Sequence, residues 1–260
     1  MEKEMKVEFE LENIKSSKVG SIIILEPKSD GFQGLLNIEE NIELLEWFDF
    51  AGHDRIVKGI LFIGDEYCFG DYVYAKHLKS LTGEDIHPEE PRIIKKIVDH
   101  KSRSIQINML NSFIRKIVEL PKMIFVALSH CVVSPFWGLS LAADYRIANP
   151  NLLVHLNSKE YGLHPSGGVP FFMEKQIGLS KTQEILYGEK ILDAETLKNL
   201  GLINQLTSVN NYRNDAISIT NNILESTNLE YFYYTKQLVN YKLLKEFESY
   251  TNLESKMEFH

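Results

Sequence analysis

A chain of 260 residues, 44% hydrophobic and 25% charged, is long enough to bury one large core, so one principal domain is the expectation. Its net charge of -8 comes with Lys and Arg interleaved among Asp and Glu, leaving no basic face for a phosphate backbone and arguing against nucleic-acid binding. The charged N-terminus has no apolar core of a secretory leader, and the longest apolar stretch, residues 131–143, is too short to cross a bilayer. A cytoplasmic protein is expected, with no membrane partner.

In chain order, residues 5–11 alternate apolar and charged side chains, the period of a half-buried strand. Residues 19–25 are a β-branched run stopped by Pro27 and Gly31, so a second strand is expected to end near Glu26. Ile38, Ile42, Leu45 and Phe48 have helical spacing within residues 35–50, and residues 57–63 return to a strand. A polar helix over 93–119, a strand over 123–128, a mixed apolar segment and a strand over 145–148 follow, which makes this an α/β chain. Beyond Leu206 the pattern is wholly helical. The expected division is a core of residues 1–206 and a helical region of residues 207–260.

Cys68 and Cys131 each stand without a second Cys or His at metal-ligand spacing, which argues against a disulfide framework and against zinc, and both read as buried thiols. No metal ligand set is expected.

Three stretches are more informative. The first runs Gly59-Ile60-Leu61-Phe62-Ile63-Gly64 into Asp65-Glu66-Tyr67-Cys68-Phe69-Gly70-Asp71. The second runs from Pro121-Lys122-Met123-Ile124 to Ala142-Ala143-Asp144-Tyr145-Arg146. The third is Tyr161-Gly162-Leu163-His164-Pro165-Ser166-Gly167-Gly168, followed by Ile177-Gly178, Leu186-Tyr187-Gly188 and Gly201-Leu202-Ile203. Gly162 and Gly178 suit positions of positive φ, and Pro165 with Gly167-Gly168 suits a tight helix entry.

Together these stretches resemble the crotonase (enoyl-CoA hydratase/isomerase) superfamily over about residues 19–206. The resemblance implies a crotonase-type spiral of ββα units with a helical C-terminal region, assembled as a homotrimer or hexamer. It implies an acyl thioester carried by coenzyme A or a phosphopantetheine arm, possible docking of an acyl carrier protein, and no tightly bound cofactor. The thioester carbonyl would sit between two backbone N–H donors that stabilise an enolate or oxyanion.

The family pattern breaks at the chemistry. Counted without gaps from Asp144, the glycine that donates the second oxyanion N–H falls on Pro135, which has none, unless the register slips and Phe136 donates instead. The two catalytic glutamates fall on Gly138 and Ser158, neither of them an acid. Ordinary hydration of an enoyl thioester is therefore disfavoured.

Other groups could stand in. Glu160 lies two residues past the second glutamate position, against a solvated surface role. His164 and His130 border the expected site, against a turn or packing role for each. Asp71 aligns with the first oxyanion donor; its side chain is a candidate acid or, more simply, a helix cap. Lys236 falls near the basic position that holds the nucleotide end of coenzyme A in relatives, against a solvated helix lysine. The chain's end soon after residues 246–248 leaves little room for a covering helix, so an open pocket, or one completed by a neighbour, is expected.

Two readings follow: an enzyme of non-hydratase chemistry such as decarboxylation, isomerisation or carbon–carbon cleavage, acting on a thioester or a related β-dicarbonyl, or a catalytically silent thioester-binding or scaffold homologue.

Overall fold

The computed structural model describes residues 6–28, 30–64, 67–94 and 100–257. Its elements are β1 (Ile14–Val19), β2 (Ile22–Pro27), α1 (Gly31–Leu36), α2 (Ile38–His53), β3 (Gly59–Ile63), α3 (Asp71–Thr82), α4 (His100–Glu119), β4 (Met123–Leu128), β5 (Cys131–Val133) and α5 (Ser134–Leu141). They continue with β6 (Tyr145–Ala148), β7 (Leu153–His155), a 3-10 turn (Asn157–Tyr161), α6 (Val169–Ile177), α7 (Leu179–Gly188), β8 (Ile191–Asp193), α8 (Ala194–Asn199), β9 (Gln205–Leu206), α9 (Tyr212–Ser226), α10 (Leu229–Asn240) and α11 (Leu243–Glu254).

Six strands form one sheet in the order β1-β2-β3-β4-β6-β9, parallel throughout except for the β1–β2 hairpin. A second sheet, β5-β7-β8, stands beside it. The apolar run of β2 serves two cores at once. Ile23 and Leu25 join the large core with α2, α4 and α5, whereas Ile22 and Ile24 join a smaller core covered by Ala216 and Leu224 of α9. A strand buried on both faces has no polar side, which is why its sequence is continuous rather than alternating.

The first expected strand is displaced. Residues 1–5 lie outside the described residues, and residues 6–13 form no strand beyond a bridge from Glu10 to Lys15. Side chains hold their backbone together with a few turn hydrogen bonds: Ser16 Oγ donates to Val7 O and accepts from Phe9 N–H, and Trp47 Nε1 donates to Lys6 O and Val7 O. The half-polar segment after them is the true edge strand, returning through Gly20 at φ 60°. The expected helix over 93–119 is seen from His100 to Glu119; residues 93–94 are not helical, Ile94 N–H donating instead to Tyr161 O, and residues 95–99 lie outside the described residues, as do Asp65 and Glu66 of the first motif.

The segment after Leu206 is helical apart from its connections. α11 does more than the chain's end led us to expect. It packs Phe247 against Phe171 and Phe172 of α6, and Glu254 accepts from Asn111 Nδ2 of α4 at 2.8 Å. The region beside α5 and α6 is thus covered by the chain's own last described helix. Among the described residues, no helix is long and apolar enough to cross a membrane.

Candidate active site

Helix α5 enters from β5 with Val133 as its N-cap and Pro135 in its first turn, where a missing N–H costs the helix nothing. The same feature removes the donor expected at this position. Gly138, one turn on, lies against the Gly167-Gly168 turn: a Cβ there would stand 1.9 Å from Gly167 O, and one on Gly167 would stand 2.4 Å from Pro135 O. Backbone meets backbone at this crossing. The space beside Gly138 is therefore filled, and a carboxylate on this residue would have no room.

Ser158, where the sequence count expects the second glutamate, is buried in the 3-10 turn beside the Tyr74 hydroxyl. Tyr74 lines a small, half-open pocket together with His77, Arg103, Pro135 and His164. Burial pushes the Tyr74 hydroxyl up to about 12, with Arg103 and Ser158 opposing it. Burial also lowers His77 to about 4 and holds His164 below its ordinary value, so both imidazoles are neutral near pH 7. The Arg103 guanidinium, 3.5 Å from His164 Nε2, is the fixed positive charge on this wall. Such a cavity can orient an anionic or carbonyl oxygen and exchange a proton through a neutral imidazole. A second, narrow pocket lies between the sheet and α5 and is apolar, with Phe62, Phe69, Val126 and Phe136 among its walls.

The other candidates fall in separate places. Asp71 is the first residue of α3, with Gly70 as the N-cap, so its carboxylate does not cap the helix. It accepts instead from Asn157 Nδ2 at 2.7 Å and Cys131 Sγ at 3.2 Å, and pairs with His155 Nδ1. Burial pushes the carboxyl up, but these partners outweigh it and leave Asp71 below the ordinary carboxylate range. Its backbone N–H, the first expected oxyanion donor, faces the Cys131 sulfur, whose own pKa is pushed up to about 12 by burial and then by Asp71's charge.

His130 adopts φ 53°, the left-handed region, and borders a surface groove with Tyr67, Tyr212 and Arg213 rather than the His164 cavity. Glu160 pairs with Lys190 at 2.6 Å. Lys236 requires a correction. Its ammonium is buried and donates to Asp144 Oδ2 at 2.7 Å, Ile117 O at 3.1 Å and Lys122 O at 3.2 Å, so it locks α10 onto the start of β6 and is not offered to a nucleotide phosphate.

The structure thus brings Pro135 and His164 to one cavity and leaves His130, Glu160 and Lys236 outside it. Tyr74, His77 and Arg103 on α3 and α4 were not singled out by sequence, because on amphipathic helices they read as ordinary polar positions. The reading of Cys131 as an isolated thiol is also revised. Register in the second sheet pairs Cys131 with Leu153 and Val133 with His155, setting Cys131 and His155 on one face near Asp71.

Comparison with known proteins agrees with this fold. A family model described as enoyl-CoA hydratase/isomerase matches residues 94–260. The solved enoyl-CoA hydratase from Bacillus halodurans superposes with a TM-score of 0.75 at 16% identity, covering 94% of this chain and 92% of that one. The enoyl-CoA hydratase from Polaromonas sp. JS666 gives 0.71 at 21% identity, covering 93% and 90%. Among curated sequences, mouse mitochondrial methylglutaconyl-CoA hydratase is 23% identical over 175 residues, 59% of this chain and 56% of that protein, so the chain matches about half of that relative's length.

A parallel sheet flanked by helices, a second small sheet and a helical tail define an α/β protein of crotonase fold. The chain belongs to the enoyl-CoA hydratase/isomerase family, within the crotonase superfamily.

Proposed function

We propose that this protein acts on an acyl thioester of coenzyme A or of a carrier-protein pantetheine arm, or on a related β-dicarbonyl compound, by chemistry other than hydration. Decarboxylation, isomerisation and carbon–carbon cleavage all need an enolate-like oxygen held in place, and none requires the paired glutamates that position a water. The observation that carries the reading is the cavity beside Pro135, which keeps Arg103, His164 and Tyr74 together while Gly138 is closed by Gly167. In this reading Arg103 holds the developing negative charge and neutral His164 transfers the proton. Lys236 plays no part in it. Cytoplasmic location and a homotrimer or hexamer belong to the same proposal.

Thermal-shift titration with coenzyme A, acetyl-CoA, crotonyl-CoA and pantetheine tests the binding half, since a ligand of the native state raises the melting temperature by mass action. Selective stabilisation by a thioester, weakened in Arg103→Ala, is expected. No shift with any thioester overturns the thioester reading and leaves only the β-dicarbonyl substrate. Pro135 supports a second reading, a silent thioester-binding homologue, because it removes one oxyanion donor. Binding without turnover of 3-oxoacyl, 3-enoyl or malonyl-type thioesters would select it.

A further inference from the structure

We propose that Asp71, Cys131 and His155 form a binding site for one divalent transition-metal ion of the zinc class. The inference goes beyond the thioester reading and is independent of it. A sulfur, a carboxylate oxygen and an imidazole nitrogen from these three residues all lie within 4.8 Å of one another. Cys131 Sγ and Asp71 Oδ2 are already 3.2 Å apart. Around a tetrahedral ion with bonds of about 2.0–2.3 Å, neighbouring ligand atoms stand about 3.3–3.6 Å apart. The sulfur–oxygen spacing needs almost no change, and the close pair of Asp71 with His155 opens to admit the ion.

The donors come from rigid parts of the fold. Cys131 and His155 project from paired parallel strands, and Asp71 opens a helix whose preceding loop is held by Val133 N–H donating to Phe69 O at 2.9 Å. Asn157 Nδ2 donates to Asp71 Oδ1 at 2.7 Å, which turns the other oxygen toward the sulfur and the ring. Outer hydrogen bonds of this kind orient metal ligands and tune their affinity.

The donor set selects the ion. A thiolate and an imidazole suit zinc or cobalt, whereas magnesium and calcium take oxygen ligands. Three protein ligands leave a fourth position, and the Asp71 and His155 side chains are each 21% exposed, so water can reach it. On uptake the Cys131 thiol gives its proton to solvent and His155 offers the lone pair of Nδ1.

The test uses the full chain stripped with a chelator and titrated with Zn2+ and, separately, with Co2+. One equivalent is expected, with a thiolate-to-cobalt charge-transfer band in the near ultraviolet. Cys131→Ser and His155→Ala should each weaken binding by about 100-fold or more and Asn157→Ala by about 10- to 100-fold, while Cys68→Ser leaves it unchanged. Because a ligand variant could fail to fold, the unmodified protein supplies a second measurement: Zn2+ should slow alkylation of Cys131, read by mass spectrometry, and leave Cys68 unaffected. A cobalt spectrum without the thiolate band, tight binding that survives Cys131→Ser, or alkylation of Cys131 indifferent to Zn2+ would each overturn the proposal.

Discussion

Gly138 shows how one residue decides which chemistry a familiar scaffold retains. Its missing Cβ is what lets the Gly167 carbonyl approach α5, and that atom is backbone, so it cannot swing aside. Overpacking of a well-filled core commonly costs about 1–3 kcal/mol, and a contact this close belongs at or above the top of that range. Gly138→Ala should therefore lower the urea midpoint by the equivalent of about 3 kcal/mol, and Gly138→Glu should not fold. Gly188 meets nothing within 4 Å, so Gly188→Ala should be near neutral in the same measurement. Restoring the glutamates is consequently no route to a hydratase. The unmodified protein is expected to leave crotonyl-CoA intact, followed as enoyl absorbance, since a lost oxyanion donor alone removes about 3–4 kcal/mol of transition-state stabilisation. Turnover at rates normal for hydratases would show that another residue supplies the water chemistry.

At the scale of elements, buried polar contacts hold the helical tail. Lys236 on α10 meets Asp144, whose carboxylate also accepts from Ile124 N–H at 2.8 Å. Removing one partner strands the other in the interior, so Lys236→Ala should cost about 3–5 kcal/mol in denaturant unfolding. A loss below 1 kcal/mol would mean that water reaches Asp144 in solution. Glu254 on α11 behaves differently. Burial raises its pKa, with Asn111 and Tyr250 opposing, so the folded state binds its proton more tightly than the unfolded chain does. Its contribution is present at acid pH and is lost as pH rises through the raised folded value. Glu254→Gln should remove that slope and raise the melting temperature at neutral pH. His77 slopes the other way. With a folded value of about 4 against 6.5, the unfolded chain takes the proton first, and stability falls as pH drops from about 6.5 toward 4. His77→Gln should flatten melting temperature across that window; an unchanged slope would assign the acid sensitivity elsewhere.

For the molecule as a whole, α10 and the residue after it present Tyr231, Tyr234, Leu238, Val239 and Tyr241 to solvent, each more than 60% exposed. That apolar density on one element is more than an isolated chain normally leaves uncovered. A trimer or hexamer is expected by light scattering at micromolar concentration, and Leu238→Glu with Val239→Glu should shift it toward monomer. A monomeric native protein would remove the assembly from the proposal.

Much of this molecule could be read from residue order, because the signals are local. The strands over 123–128 and 145–148, the helical character of the tail and the positive-φ glycines Gly162 and Gly178 follow from periodicity and from the steric freedom of glycine. The count that puts the family's glutamate positions on Gly138 and Ser158 draws on the same local motifs. The alternation over residues 5–11 misled because docking on Ser16 and Trp47 can hold an extended segment as well as a partner strand can. What tertiary structure alone decided is which side chains meet across long stretches of chain. Lys236 looks like any helix lysine until α10 closes over Asp144; Cys131 and His155 look unrelated until β5 pairs with β7; Arg103 and His164 share a wall only once α4 packs beside the loop that carries His164. Local sequence sets conformation through sterics and burial period, whereas charge pairing, ligand geometry and the closing of a pocket depend on distances that exist only after packing.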